Sequence, residues 1–130
     1  SEVSAVFAEK DPVKPTAAGQ AGGAFIIKRG YDKIIAGKKT LVVEALTTTG
    51  GSIKKAVEAS RATGAKIVGA VAICNRGNVT KENAGNPDEF VSLVNLNMEQ
   101  WPEKECELCA KEIPVNTDIG HGREFLAKGK

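Results

Sequence analysis

The stretch TLVVEALTTTGGS, residues 40–52, decides the fold that this sequence predicts. Residues 40–45 are apolar and β-prone and predict a buried strand, and residues 46–52 form a turn rich in hydroxyls and glycine. A helix is expected to follow from about Ile53. Such a turn gathers free backbone N–H groups, hydroxyls and the positive end of a helix dipole in one place, which suits a phosphate.

The same turn has an alternative interpretation as an ordinary strand-to-helix connection that binds nothing, because hydroxyls and glycines are common in turns. Three successive threonines followed by two glycines and a serine favour the anion site. Glu44 stands at the end of the predicted strand, beside the pocket. An acid in that place suits a ligand that also carries sugar hydroxyls or a Mg²⁺ ion.

On both sides of this stretch the sequence alternates predicted strands with loops and helices. Residues 53–63 have apolar positions at helical spacing, with Ser52 as a candidate N-cap and Gly64 as a candidate C′ residue. The run KIVGAVAIC at residues 66–74 is typical of a strand buried on both faces. The other predicted elements are strands at residues 2–8, 25–29 and 89–96, a long loop at 9–24, a short helix at 102–111 and an irregular tail. This order predicts an α/β fold with a mostly parallel, Rossmann-like sheet and flanking helices.

Length and composition restrict the class of protein. A chain of 130 residues predicts a single domain, residues 1–130, and 42% hydrophobic with 26% charged residues is typical of a soluble globular protein. The net charge is +2 with both signs mixed along the chain, which predicts no nucleic-acid partner. The apolar runs are too short to span a bilayer, so no membrane association is expected. Three cysteines without a leader pattern predict a reducing, cytoplasmic location.

Two of these cysteines have the spacing of metal ligands. Cys106 and Cys109 lie in the predicted C-terminal tail, residues 98–130, and the third, Cys74, lies in a predicted buried strand. A structural zinc takes four ligands. Reduced, unligated thiols are therefore expected, with a zinc-stabilised interaction module as the alternative.

The stretch TLVVEALTTTGGS closely resembles the phosphoribosyl-diphosphate (PRPP) motif of the type I phosphoribosyltransferases, in which four apolar residues precede two acids and a phosphate loop. The segments AVFAEK, IIKRGY, KIVGAVAICNRG and CELCAKEIPVNTDIGHG extend the similarity to nearly the whole chain, and they resemble orotate phosphoribosyltransferases. The resemblance implies the type I phosphoribosyltransferase fold. It also implies transfer of the 5-phosphoribosyl group from PRPP to orotate, with release of diphosphate, in pyrimidine biosynthesis. Mg²⁺ would be the cofactor and a homodimer the assembly.

The resemblance further implies roles for individual residues. Glu44 would bind a ribose hydroxyl, directly or through Mg²⁺-bound water, with no side chain ligating the metal directly. Lys10 and Lys14 would belong to a mobile catalytic loop, residues 9–24, that closes over the diphosphate, and Arg76 would contact the orotate base. The 5-phosphate would be held by the residues of the loop after the strand, Thr48, Thr49, Gly50, Gly51 and Ser52.

The sequence departs from the family pattern at two points. Ala45 stands where the second acid is expected, and losing one charge-assisted contact to the substrate costs about 1.5–3 kcal/mol. The family's N-terminal half has no counterpart here, and with it are absent the diphosphate-binding glycine loop and a strand expected between residues 2–8 and 40–45. We therefore expect the chain to be part of a longer protein. Two alternatives stay open: a non-catalytic PRPP- or nucleotide-binding subunit or remnant, and a phosphoribosyltransferase for another nucleobase.

Overall fold

A computed structural model of the chain describes residues 2–11, 23–99, 101–120 and 122–127. The chain divides into two compact units, Ser1–Met98 and Glu99–Lys130. The first unit contains strands β1 (Glu9–Lys10), β2 (Phe25–Ile26), β3 (Lys39–Thr47), β4 (Lys66–Asn75) and β5 (Phe90–Asn95), with helices α1 (Tyr31–Ile35) and α2 (Gly51–Ala62). The second contains a 3-10 turn at Glu103–Glu105 and helices α3 (Glu107–Ala110) and α4 (Gly122–Ala127).

The centre of the first unit is a three-stranded parallel sheet in the order β3-β4-β5. Val42 lies beside Ala70, and Ala70 lies beside Phe90, so these side chains share one face of the sheet. The predicted strands at residues 40–45, 66–74 and 89–96 are confirmed, each shifted by one or two residues at its ends. The α/β class and the parallel sheet are confirmed with them.

Helix α2 packs on that face through the apolar positions that its sequence period predicts. Ile53 and Val57 are one helical turn apart and are fully buried. The helix begins at Gly51, two residues before the predicted start, because Gly50 takes a left-handed conformation (φ 80°) and is itself the N-cap. The prediction of Ser52 as the N-cap is therefore wrong.

The end of α2 agrees with the sequence analysis. Gly64 has φ +86°, and its N–H donates to the Arg61 carbonyl at 2.9 Å. The next N–H, of Ala65, donates to the Ser60 carbonyl at 3.3 Å, which completes a Schellman motif. Gly64 is thus the C′ residue, as predicted.

The opposite face of the sheet is exposed in the part of the chain that the structure describes. Val43 is 65% exposed on β3, Ile73 52% on β4 and Leu93 70% on β5. The prediction that residues 66–74 are buried on both faces is therefore wrong. A continuous apolar run shows that both faces can be buried, but whether a second layer is present depends on other segments.

The predicted strand at residues 2–8 is also wrong. These residues make no strand pairing, and Val3 is 90% exposed. A cavity of about 570 Å³ lies between residues 2–6 and the start of β3, lined by Val3, Val6, Leu41 and Val43 among others. Sequence alone marked this segment as β-prone, but a strand also needs a neighbour within hydrogen-bonding distance, and here the cavity separates it from β3. The cavity lies where the family resemblance implies an additional strand.

The predicted loop at residues 9–24 starts and ends on a short antiparallel ladder. Glu9 pairs with Ile26 and Lys10 with Phe25, and the Asp11 N–H donates to the Ala24 carbonyl at 2.7 Å. The strand predicted at residues 25–29 is confirmed only at its first two residues. The middle of the loop, with Lys14, lies outside the described residues.

The second unit contains more helix than predicted. The helix expected at residues 102–111 is divided into the 3-10 turn and α3, because Cys106 has an extended backbone (φ −70°, ψ 110°) and caps α3. The expected irregular tail is confirmed at residues 112–120, which contain no helix or strand, and is wrong at α4. The sequence of α4, GREFLA, consists mostly of good helix formers but is too short to give a clear period. No helix among the described residues is long and apolar enough to cross a membrane.

Candidate functional site

The turn between β3 and α2 is short. Thr47 ends β3 and is 4% exposed, and only three residues separate it from Gly51, the first residue of the helix. Thr49 is exposed and Gly50 is buried. Gly50 can adopt its φ of +80° because it has no Cβ, and this conformation lets the chain turn directly from the strand into the helix.

The N-terminus of α2 has no competing acid and little side-chain capping. Gly50 offers no side chain as a cap, and the first turn contains no Asp or Glu. The one side-chain contact described at this end is weak: the Gly51 N–H donates to Thr49 Oγ1 at 3.4 Å. Because the first N–H groups of a helix lack intrahelical partners, the start of α2 presents donors and a positive dipole end to an anion. Thr49 and Ser52 add hydroxyls at the same place.

Two glycines hold this loop against the loop that follows β4. A Cβ on Gly50 would lie 2.7 Å from the Asn83 carbonyl oxygen, and a Cβ on Gly77 would overlap the backbone of Thr48. Both contacts are backbone against backbone, where no side chain can move aside. The turn after β3 is therefore packed closely against residues 77–83.

Arg76 lies directly beside the loop. Its N–H donates to the Thr47 carbonyl at 3.0 Å, across the carboxyl ends of β3 and β4. Its Nε is buried without a hydrogen-bond partner among the described residues. The structure therefore brings Arg76 and residues 48–52 together in the crevice at the carboxyl end of a parallel sheet, where α/β proteins bind ligands.

Asn75 is a site-supporting residue that the sequence analysis missed. It is 4% exposed; its Nδ2 donates to the Val79 carbonyl and its Oδ1 accepts from the Val79 N–H, both at 2.9 Å. Its Oδ1 also accepts from the Gly77 N–H at 3.4 Å. Asn75 thus shapes the loop that packs on Thr48. The sequence feature that could have identified Asn75 is its position as a polar residue at the end of an apolar run, next to Arg76.

Glu44 and Ala45 point to opposite faces of β3, as successive strand residues do. The Glu44 carboxylate is half-buried, accepts from the Ala45 N–H at 3.1 Å and lines a cavity of about 240 Å³ with Val42 and Ala56. Residues 48–52 do not line that cavity. Ala45 is exposed. Glu44 is therefore joined to the loop only along the backbone of β3, and its side chain lines a separate cavity.

Lys10 is the one of the two predicted lysines that lies in the described residues, and it is not brought to the loop. Lys10 is exposed on β1, and no described hydrogen bond or ion pair joins it to residues 48–52. In the described part of the chain, no three His, Cys, Asp or Glu side chains converge as metal ligands.

Comparison with known proteins identifies relatives of the chain. A family model described as the phosphoribosyl transferase domain matches residues 5–108. The orotate phosphoribosyltransferase of Caldanaerobacter subterraneus is 34% identical over 87% of this chain and 52% of its own length. The orotate phosphoribosyltransferase of Thermus thermophilus is 35% identical over 85% of this chain and 54% of its own length. The orotate phosphoribosyltransferase of Caldicellulosiruptor saccharolyticus is 38% identical over 72% of this chain and 47% of its own length.

The chain thus spans about half the length of the curated relatives it matches. No solved structure gave a significant match.

Proposed function

Since the chain belongs to the phosphoribosyl transferase domain family, we propose that it binds PRPP and supplies half of an orotate phosphoribosyltransferase active site. The observation that carries this proposal is the start of α2. Its N-cap residue, Gly50, makes no side-chain cap, its first turn lacks acids, and residues 48–52 supply hydroxyls beside it. A dianionic 5-phosphate is the part of PRPP that such a site fits.

Different residues would bind different parts of PRPP and orotate. Thr48, Thr49, Gly50, Gly51 and Ser52 would hold the 5-phosphate through N–H groups and hydroxyls. Glu44, on β3 three residues before its end, would bind a ribose hydroxyl. Arg76, whose buried Nε has no hydrogen-bond partner in the part of the chain that the structure describes, would donate to the carboxylate or carbonyl oxygens of orotate.

In the proposed reaction a ring nitrogen of orotate forms a bond to C1 of the ribose while the bond from C1 to the diphosphate oxygen breaks. The transition state resembles an oxocarbenium ion, so catalysis depends on stabilising the leaving diphosphate and excluding water. Lys10, on β1, and Lys14, which follows it in the sequence, would supply cationic contacts. The loop after β3 fixes one end of the substrate, which orients C1.

Mg²⁺ is part of this proposal. Glu44 is a single half-buried carboxylate, and Mg²⁺ is commonly held by one or two carboxylates together with substrate phosphate oxygens. The described residues therefore fit a metal that arrives with PRPP. When bound, the ion would neutralise charge on the diphosphate. A homodimer and a role in cytoplasmic UMP synthesis complete the proposal by analogy with the relatives.

Binding and turnover test the proposal separately. Titration of the 130-residue chain with PRPP and Mg²⁺ should show one site, and inorganic phosphate should compete for it because both occupy the start of α2. The complete gene product should consume orotate only when PRPP is present. If orotate is ignored while uracil or a purine base is consumed, the substrate assignment is wrong and the family membership still stands.

The second candidate is a non-catalytic PRPP-binding subunit, and Ala45 is the observation that favours it. A methyl group cannot accept a hydrogen bond from a ribose hydroxyl. We expect Ala45→Asp to raise kcat/KM of the complete gene product about 10- to 150-fold, since one charge-assisted hydrogen bond is worth about 1.5–3 kcal/mol. Ala45 is exposed, so the new carboxylate is not buried.

Ala45→Asn is the matched control for this change, because it adds the same bulk without the charge. Activity that rises equally in both variants argues against a lost acid. PRPP binding with no turnover in the wild type or in either variant favours the non-catalytic subunit.

Arg76→Met tests the role of the unpaired Nε. An unsatisfied buried donor costs about 1–3 kcal/mol, so its removal should raise the free energy of unfolding by about 1 kcal/mol while orotate affinity falls. Urea unfolding and orotate titration measure the two effects. Arg61→Met is the control, because Arg61 donates to the carbonyls of Gly85 and Asn86 at 2.6 and 2.5 Å and should lose stability instead. Equal losses in both variants would contradict the assignment.

A further inference from the structure

The segment that follows β5 lies beside the segment that follows β4, at the sheet edge where the proposed site is found. The Leu96 N–H donates to the Asn75 carbonyl at 2.9 Å. The Arg76 N–H donates to the Thr47 carbonyl at 3.0 Å in the same way, so the carboxyl ends of β3, β4 and β5 are joined in that order. The proposed function uses residues that follow β3 and β4 and none that follow β5.

Two asparagine side chains meet where the segments after β4 and β5 run side by side. Asn78 Nδ2 donates to Asn97 Oδ1 at 3.4 Å, near the long limit for a hydrogen bond, and both residues are exposed. Among the described residues neither side chain makes a second hydrogen bond. The Asn78 Oδ1 acceptor and the Asn97 Nδ2 donors therefore remain available to a ligand.

The backbone at Asn78 is held on both sides. The buried Asn75 side chain accepts from the N–H groups of Gly77 and Val79 at 3.4 and 2.9 Å. It also donates to the Val79 carbonyl at 2.9 Å. Asn78 lies between these contacts in a left-handed conformation, φ 51°, which Asn tolerates better than most residues. Its side chain therefore projects from a fixed backbone, two residues after Arg76.

An uncharged pair of amides suits one edge of the acceptor base. Orotate is a pyrimidine dione whose carboxylate, on C6, lies next to N1, the nitrogen that bonds to ribose. With the carboxylate at Arg76, the N3–H and the C4 carbonyl on the opposite edge of the ring still need partners. Asparagine side chains recognise such donor and acceptor edges of bases, because one planar amide both donates and accepts.

The order of chemical groups along the sheet edge matches their order in the ligand. The hydroxyl-rich turn follows β3, Arg76 follows β4 and Asn97 follows β5. Neighbouring strands lie about 4.8 Å apart, so the ends of β3 and β5 are about 10 Å apart. A phosphate, a ribose and a pyrimidine joined in a row extend over a similar distance. The far edge of the base would thus reach the amide pair.

We propose that Asn78 and Asn97 select the acceptor base by hydrogen bonding to the N3–H and C4 carbonyl edge of a pyrimidine dione. This inference rests on the proposed function, because it completes the acceptor end of the same site. Asn78 Oδ1 accepts from N3–H, and Asn97 Nδ2 donates to the C4 carbonyl. Both contacts lie away from N1, so the two residues determine specificity and take no part in forming the bond to ribose.

Three planar ligands separate the amide pair from Arg76. Orotate has both the carboxylate and the N3–H and C4 carbonyl edge. Uracil has that edge without the carboxylate, and pyridine-2-carboxylate has a ring nitrogen beside a carboxylate without that edge. Each ligand is titrated calorimetrically into the complete gene product in the presence of ribose 5-phosphate, which fills the phosphate site without allowing turnover.

Asn78→Gly and Asn97→Ala should each weaken orotate and uracil binding about three- to tenfold, the effect of one lost hydrogen bond. Pyridine-2-carboxylate affinity should stay within about twofold of wild type, because this ligand offers no partner to the amides. Glycine suits the left-handed backbone at residue 78, so that variant removes the amide without adding strain. Arg76→Met should show the other pattern, with weaker binding of orotate and pyridine-2-carboxylate and unchanged binding of uracil.

Asn95→Ala is the matched control. Asn95 ends β5, and its Oδ1 accepts from Ser92 Oγ at 2.8 Å, so its amide is already engaged. This variant should bind all three ligands like the wild type.

The proposal is overturned if either Asn78→Gly or Asn97→Ala keeps wild-type affinity for orotate and uracil. It is also overturned if these variants lose affinity for all three ligands equally, as a general loss of structure would cause. In both cases weaker orotate binding in Arg76→Met leaves the proposed function standing. A wild type that binds no orotate contradicts the proposed function itself, and the role of the amide pair fails with it.

Discussion

Gly77→Ala should lower the free energy of unfolding by about 3 kcal/mol, near the top of the range for overpacking, and abolish binding of inorganic phosphate. The added Cβ would overlap the carbonyl group of Thr48, so one of two backbone segments must move. We expect the turn after β3 to move first, because the Asn75 side chain holds residues 77–79 through three hydrogen bonds. The change therefore damages stability and the anion site together.

Urea unfolding and phosphate titration measure these two effects, and Gly69→Ala is the matched control. Gly69 lies on β4, the strand that precedes Gly77, and its added Cβ would lie 3.3 Å from Leu41 Cδ1. That neighbour is the end of a side chain that is 54% exposed and can rotate away. Stability within about 1 kcal/mol of wild type is expected for the control. If Gly77→Ala behaves like Gly69→Ala, the two loops are not packed as described.

Gly50→Ala should cost about 2–4 kcal/mol of unfolding free energy and weaken phosphate binding at least tenfold. Two effects add: a left-handed conformation costs a residue with a Cβ about 1–2 kcal/mol, and the Cβ would lie 2.7 Å from the Asn83 carbonyl oxygen. Relief of either strain tilts the first turn of α2. The N–H groups would then no longer converge on one point.

Gly64→Ala separates the two effects, because Gly64 has φ +86° and no atom within 4 Å of an added Cβ. It should lose only the conformational part, about 1 kcal/mol, and keep wild-type phosphate affinity. Equal losses for Gly50→Ala and Gly64→Ala would show that the contact with Asn83 contributes nothing. Retained phosphate affinity in Gly50→Ala would remove the start of α2 as the anion site.

The central part of the fold could be predicted because its signals are local. The period of Ile53 and Val57, the apolar runs of β3 and β4 and the left-handed Gly64 each depend on a few neighbouring residues. The turn from β3 into α2 was predicted for the same reason, since its hydroxyls, its glycines and the following helix are contiguous in sequence. The resemblance of residues 40–52 to the PRPP motif then added PRPP as the expected ligand.

The errors share one physical cause, which is dependence on a distant partner. Residues 2–8 have the composition of a strand but lie across a cavity from β3, so their backbone has no strand to pair with. Residues 66–74 could be covered on two faces but are covered on one in the described part of the chain. Whether a strand pairs and whether a sheet face is covered depend on which other segments are present, and no local sequence pattern contains that information.

For the site, the residue types at 44–52 alone led to the prediction of an anion site at the turn after β3. Only the tertiary structure showed that Gly77 fits under Thr48, that Asn75 shapes the loop between them, and that the Arg76 N–H bonds to Thr47. These contacts join the ends of two parallel strands that are far apart in sequence. Hydrogen bonds and close packing across such a distance arise from the register of β3 with β4, which the stretch at residues 40–52 cannot encode by itself.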